Sequence, residues 1–452
     1  MDNSNLCEGP IFKRIITYAI PIIGTNLLQL VFNAADLIVV GRYCGNLSVA
    51  AVGATNSIVN LLINFFIGLS VGVGVTVAHA YGSGNRENAK DAVHTAIPVA
   101  IISGLILTLF GLFLSRQVLE MMATPVEVLD LSVTYLKIYL AGSIASLVYN
   151  FGAAILRAVG DTASPFRYLV IAGTINVIFN LIFVLVFDMN VAGVAIATVI
   201  SQIISAGLVL INLSRRTDSV CLSLKEIRIK KEQLVNIIRI GVPTGLQSSL
   251  FGISNVLIQS SINSFGPLAV SGNAASASIE GFVYVSMNSF QHTALNFTGQ
   301  NFGAKKFDRI KKIVNYCLLS VSFCGLLFGG LAYIFRYGLL GIYITDSAEA
   351  IEYGALRIAI ICCPYLLCGI MDVVTGTIRG MGISVPPLVI SVMCICAFRI
   401  IWIFTVFRIP EFHTPASLYI TYPISWTMTF VGEYIVYRIA LKKYMNKTEM
   451  AN

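Results

Sequence analysis

Asp36 lies in an otherwise apolar run, Leu30-Val31-Phe32-Asn33-Ala34-Ala35-Asp36-Leu37-Ile38-Val39-Val40. Gln29, Asn33 and Asp36 are spaced by four and three residues, so on a helix they share one face. Farther along, Asn176 and Asn180 form an i, i+4 pair, and Thr198 sits in a third apolar stretch. A carboxylate with amide and hydroxyl oxygens is the hard-oxygen shell that Na⁺ takes. The same carboxylate, partly desolvated, can carry a proton instead. At bilayer depth such a group costs roughly 3 to 10 kcal/mol, and it usually holds a cation, exchanges a proton or pairs with a base. The plainer use of these side chains is hydrogen bonding between helices.

Two more acids stand in apolar surroundings. Glu280 is followed at helical spacing by Tyr284, Met287, Asn288 and Gln291. An acid beside an aromatic ring and a thioether suits a bulky organic cation. An internal ion pair with Arg399 or another basic side chain is the competing use. Asp372 lies in Ile370-Met371-Asp372-Val373-Val374-Thr375. His292 titrates near neutral pH in principle, but a satisfied core histidine is the simpler reading. His79 reads as a helix-end hydrogen bonder. Ten Cys are scattered without a CxxC pair, and four His form no cluster, so neither disulfides nor a metal centre is expected. No phosphate-binding loop is present, so the chain shows no sign of nucleotide hydrolysis.

Which elements hold these groups follows from composition. The 452 residues are 56% hydrophobic and 12% charged, with a mean hydropathy of +0.82. Soluble domains are nearer 25% charged. Residues 43–85, 92–115, 189–214 and 240–279 contain no Asp, Glu, Lys or Arg. Spanning a bilayer takes about 20 apolar residues in a helix, and the runs do not alternate as a β-barrel requires. The fold class is therefore an all-α membrane protein. Twelve spans are expected near 12–40, 48–78, 92–114, 130–156, 166–187, 190–213, 234–264, 268–298, 310–335, 351–378, 384–407 and 415–440. Pro21 removes one backbone hydrogen bond and should kink the first. With the N-terminus inside, 23 of the 30 Lys and Arg fall on the cytoplasmic side and four outside. Lys137, Arg357 and Arg399 fall within spans, read as lying toward their outer ends. That bias places both termini in the cytoplasm. The short polar N-terminus carries no cleavable signal peptide, and the net charge of +8 sits in membrane-flanking loops, which argues against nucleic acid.

The two halves repeat. Pro21 matches Pro243, and Arg157-Ala158-Val159-Gly160 with Pro165 matches Arg379-Gly380-Met381-Gly382 with Pro387, all at an offset of 222. Tyr81-Gly82 matches Phe302-Gly303 at 221, and Lys137 matches Arg357 at 220. Two six-helix lobes, residues 1–213 and 234–452, are related by a pseudo-two-fold axis along the membrane normal. The basic linker 214–233 joins them, either lying on anionic lipid or serving only as a topology anchor.

These landmarks resemble the multidrug and toxic compound extrusion (MATE) family over about residues 9–440. They are Pro21 with Asp36 fifteen residues on and Val40-Gly41-Arg42, the segment Ala78-His79-Ala80-Tyr81-Gly82 with Gly299-Gln300-Asn301-Phe302-Gly303, and the two Arg-x-x-Gly helix ends. The resemblance implies export of organic, often cationic, amphipathic compounds in exchange for H⁺ or Na⁺, with no cofactor. It implies a monomer in the inner (cytoplasmic) membrane. Asp36, Asn176, Asn180 and Thr198 match an N-lobe cation site, with Asn180 where an Asp is usual. Pro21 matches a proline whose bending accompanies transport, although its partner Pro243 suits a static role. Glu280 resembles an eighth-helix acid, while the tenth-helix acid lies about one turn from Asp372. A seventh-helix acid is absent around Gln247. Arg157 and Arg379 read as anchors at helix ends. A related fold serves lipid-linked oligosaccharide flippases, which would need a basic cavity. A membrane enzyme would need a catalytic cluster in the loops, and none appears.

Overall fold

The computed structural model describes residues 5–345 and 347–449, with side chains 447–449 excepted. The first four residues of the polar N-terminus and the side chain of Lys447 therefore lie outside the described residues. Among those described, the secondary structure is helical throughout, with no strand. Helix α1 covers Ile11–Val39, α2 Asn46–Gly82 and α3 Arg86–Met121. Helix α4 is bent by 45° between Val126–Ala141 and Ser143–Ala158. Helix α5 is Ala163–Leu181, continued by a π-helical turn over Ile182–Val186, and α6 is Asn190–Arg215. The second half runs α7 Lys231–Asn263, α8 Pro267–Gly303 and α9 Phe307–Ile334. Helix α10 is bent by 49° between Ala348–Ile361 and Leu366–Gly380. Helix α11 comprises Val385–Ser391, a π-helical segment Val392–Ala397 and Phe398–Phe404, and α12 is Thr421–Glu449.

These twelve segments coincide with the twelve expected. Seven are long and apolar enough to cross a membrane, nine when the two bent pairs are counted. The remaining three, α7, α8 and α12, are diluted by Gln, Ser, Asn and Glu.

The repeat is visible in backbone detail. Gly160 (φ +91°) and Gly382 (φ +80°) each end a helix in the left-handed region, as do the conformationally matched Gly45 (φ +84°) and Gly266 (φ +92°) before the second helix of each half. At both Arg-x-x-Gly ends the glycine N–H bonds back to the arginine carbonyl, at 3.0 and 2.8 Å. Only glycine takes this turn without steric cost, which explains the repeated sequence.

The chain groups into two compact units, residues 1–5 with 20–245 and residues 6–19 with 246–452. Residues 6–19, part of the first lobe in linear sequence, group with the second unit. Lys306 and Arg309 hold the carbonyls of Cys7, Glu8 and Gly9, and Tyr18 packs edge-on to Phe297 at 5.3 Å. Conversely, the first half of α7 groups with unit 1, where Gly68 faces Gly245 so closely that a Cβ would have no room. Each exchange falls beside one of the paired prolines, Pro21 or Pro243. Helix α1 nevertheless remains helical from Ile11 to Val39. The linker is tied to unit 1 at the start of α3. Arg228 and Lys230 meet Asp91 at 2.7 and 3.6 Å, Lys90 meets Glu226 at 2.7 Å, and Ser223 N–H donates to His94 Nε2 at 3.0 Å.

Candidate functional site

Unit 1 carries one membrane carboxylate, and its position follows from a close helix contact. A Cβ on Gly173 would lie only 1.8 Å from the Phe32 ring, so α1 and α5 approach closely because this residue has no side chain. Asp36 lies one turn beyond Phe32, and Asn176 and Asn180 lie one and two turns beyond Gly173. The outcome is direct contact. Asn180 Nδ2 donates to Asp36 Oδ1 at 2.5 Å. The Asn176 amide is satisfied with its Nδ2 donating to Asp36 Oδ1 at 2.8 Å and its oxygen accepting from Thr198 N–H at 3.3 Å. Thr198 Oγ1 donates to the Val194 carbonyl at 3.0 Å, which leaves its lone pairs toward the cluster. Asn180 Oδ1 is buried without a hydrogen-bond partner.

Amide N–H groups of Asn180 and Asn176 solvate the carboxylate. The oxygens of Asp36 and Thr198 and the unpartnered Asn180 Oδ1 are the acceptors this cluster offers to a cation. The unpartnered Asn180 oxygen fits this use. The π-helical turn that begins two residues after Asn180 ends the regular hydrogen-bond ladder of α5, a feature common at functional positions. A cavity of about 490 Å³ opens beside the cluster, lined by Gln29, Asn33, Asp36, Asn176 and Thr198 with Tyr135, Tyr139 and Gln202. All three polar positions of the α1 face thus reach the same cavity.

Unit 2 is charged differently. Glu280 Oε2 receives Arg357 Nη2 at 2.6 Å and Nε at 3.2 Å, and Glu280 Oε1 accepts from Tyr365 OH at 3.2 Å. Arg357 Nη1 donates to Asn273 Oδ1 at 2.5 Å. Of the two uses expected for Glu280, the internal ion pair is present, with Arg357 as partner. Arg357 and Arg399, the two basic residues read within spans of this half, face the interior of the unit. Both are buried, at 7% and 4% exposure. A buried guanidinium is costly without a counter-charge, and Arg357 has one on α8.

Tyr284, Asn288 and Gln291 do share a face, with Asn288 Nδ2 donating to Tyr284 OH at 3.3 Å and Gln291 Oε1 at 2.8 Å. Asp372 joins them through Asn288, while its Oδ2 is buried and unpartnered. Met287 departs from that face. It is fully buried and its sulfur packs against Gly325 and Gly369. Arg379 is likewise buried rather than simply anchoring at a helix end, and its Nη2 donates to Gln247 Oε1 at 2.6 Å.

The sequence reading missed Glu433 on α12. It is 0% exposed, and its carboxylate accepts from the hydroxyls of Thr375 and Ser391. The signal was available, since Glu433 is a lone acid in Thr429-Phe430-Val431-Gly432-Glu433-Tyr434-Ile435.

Comparison with known proteins agrees with this architecture. The MatE family model matches residues 21–182 and 243–405, so both halves match and each match begins at the repeated proline. A probable multidrug resistance protein, YoeA of Bacillus subtilis, is 26% identical over 442 residues, covering 96% of this chain and 95% of that protein. The multidrug export protein MepA of Staphylococcus aureus is 22% identical, covering 83% of each. Among solved structures, an outward-facing multidrug resistance MATE transporter of the MOP superfamily superposes with a TM-score of 0.92 over 99% of both chains at 20% identity. The helix order, the two-fold internal repeat and these matches together show that the chain belongs to the MatE family, whose members are membrane transporters and not enzymes.

Proposed function

We propose that the protein is a multidrug exporter. It moves organic, often cationic, amphipathic compounds out of the cell by alternating access, driven by inward H⁺ or Na⁺. The observation that carries the reading is the convergence of Asp36, Asn176, Asn180 and Thr198 beside a cavity of about 490 Å³. A single carboxylate among neutral amides changes net charge when it takes up one cation. The amides then turn from donors toward the carboxylate to oxygens around the ion. That charge change is the elementary step an antiporter needs. The names of the relatives point to drug export as the consequence.

In unit 2, Tyr284, Asn288, Gln291 and Asp372 are the substrate-contacting groups in this reading. Glu280 contributes through its pair with Arg357, and Met287 through the packing beneath. Pro21 is the conformational residue of α1. The protein acts as a monomer in the cytoplasmic membrane with both termini inside. Paired buried acids and arginines in unit 2 do not make the strongly basic cavity that a lipid-pyrophosphate flippase would need.

The test is ethidium uptake into proteoliposomes under an outward-directed Na⁺ gradient (high inside) and, separately, an outward H⁺ gradient. Accumulation that disappears in Asp36→Asn identifies an antiporter and its ion. Equal accumulation in wild type and variant would sink the role of Asp36.

A further inference from the structure

Arg357 and Arg399 are both buried in unit 2, yet only one has a counter-charge. Arg357 is matched by Glu280 at 2.6 Å and by Asn273 at 2.5 Å. Arg399 makes two long hydrogen bonds to neutral groups, Nη1 to Asn255 Oδ1 at 3.3 Å and Nη2 to Ser425 Oγ at 3.2 Å. Its Nε is buried with no partner. Among the described residues, Arg399 has no carboxylate within the 4.0 Å of an ion pair. The guanidinium lies 4.0 Å from the centre of the Tyr422 ring, which is worth about 2 kcal/mol when desolvated. Burying a guanidinium costs several kcal/mol, and arginine cannot shed its proton to escape that cost. One ring and two neutral acceptors leave the charge unmatched. The pair of arginines with Glu280 holds a local excess of one positive charge.

Three further observations give this charge a setting. Arg399 lies in the first turn after the π-helical segment Val392–Ala397, where α11 departs from regular winding. It lies on the fifth span of the second half, the counterpart by the 222-residue repeat of the span that carries Asn176 and Asn180. Its hydrogen-bond partner Asn255 is exposed, so the guanidinium sits one side chain beneath the surface of unit 2. The rings of Tyr422, Trp426 and Tyr365 continue in edge-on contacts of 5.8 and 5.1 Å, which builds an aromatic wall from Arg399 toward Glu280.

We propose that Arg399, with Asn255, Ser425 and the Tyr422–Trp426 wall, forms a binding site for a monovalent anion, either a free halide or the carboxylate head of an organic substrate. The unmatched charge and the unpartnered Nε recognise the anion, and the rings would flank an apolar body attached to it. The site goes beyond the coupling reading and does not depend on it. If it takes a carboxylate, the substrate range extends to organic acids and zwitterions.

The test uses the purified full-length protein with Trp402→Phe, which leaves Trp426 as the sole tryptophan. Bromide, a heavy-atom quencher, is titrated at constant ionic strength against sulfate. Saturable quenching of Trp426 is expected, lost in Arg399→Gln and weakened at least threefold in Asn255→Ala. Displacement of bromide by benzoate at tenfold lower concentration than chloride identifies the carboxylate source, and equal displacement by chloride identifies the halide. Quenching that stays linear in the parent, or is unchanged by Arg399→Gln, overturns the proposal. Should Arg399→Gln fail to fold, as judged by gel filtration and circular dichroism, Asn255→Ala and Ser425→Ala decide. Unchanged bromide affinity in both overturns it.

Discussion

The two units share a helix plan but handle buried charge in opposite ways. In unit 1 the membrane carboxylate Asp36 is surrounded by neutral amides and a hydroxyl, and its hydrogen-bond partners are Asn180 and Asn176. In unit 2, three buried acids (Glu280, Asp372, Glu433) stand with three buried arginines (Arg357, Arg379, Arg399). A repeat constrains backbone turns such as Gly160 and Gly382 far more tightly than it constrains the chemistry inside. Asp36 can change the charge of its surroundings by taking one cation. Glu280 cannot do so cheaply, because removing its charge strands Arg357.

The largest effect is expected at Asp36. Asp36→Asn should reduce gradient-driven transport at least a hundredfold while the protein elutes as a folded species. Transport within threefold of wild type would erase the contrast between the units. Next is Gly173→Ala, which places a carbon against the Phe32 ring and pushes α1 from α5. A tenfold loss of transport and about 1–3 kcal/mol of stability are expected from overpacking. Phe32→Leu in the same chain should restore much of both, since it relieves the clash without touching the cluster.

In unit 2, breaking the pair should act on stability rather than on coupling. Arg357→Met leaves Glu280 buried and uncompensated, at a cost of about 3–5 kcal/mol by thermal unfolding. Adding Glu280→Gln should recover most of it. If both single variants unfold like wild type, the pair is not the internal compensation described. The smallest effect is expected at Glu433→Gln. A carboxamide oxygen still accepts from one hydroxyl, so a stability loss of about 1 kcal/mol is expected, with transport within a few-fold of wild type. A complete loss of transport there would move a coupling role into unit 2 and break the comparison from the other side.

Some of the candidate site was legible because its signal is local. A lone acid in an apolar run is visible for Asp36, Glu280 and Asp372, and helical spacing correctly put Gln29, Asn33 and Asp36 on one face. Helical spacing failed for Met287. Tyr284 and Met287 are three residues apart and near-neighbours on a helix, but the glycines at 325 and 369 open a recess that takes the thioether inward. Glu433 carried the same signal, a lone acid in an apolar run, five residues before Arg438.

The linear chain alone determined the all-helical membrane class, the twelve segments and the internal repeat, because apolar length, absence of charge and recurring helix-end glycines are properties of contiguous residues. Tertiary structure alone decided which charges meet. Arg357 found Glu280 at a separation of 77 residues, Asn180 found Asp36 at 144, and Arg399 found no acid. Those pairings depend on how closely helices approach, which is set by small residues such as Gly173, and on the directions in which side chains leave adjacent helices. Neither property is carried by the spacing of the charged residues themselves.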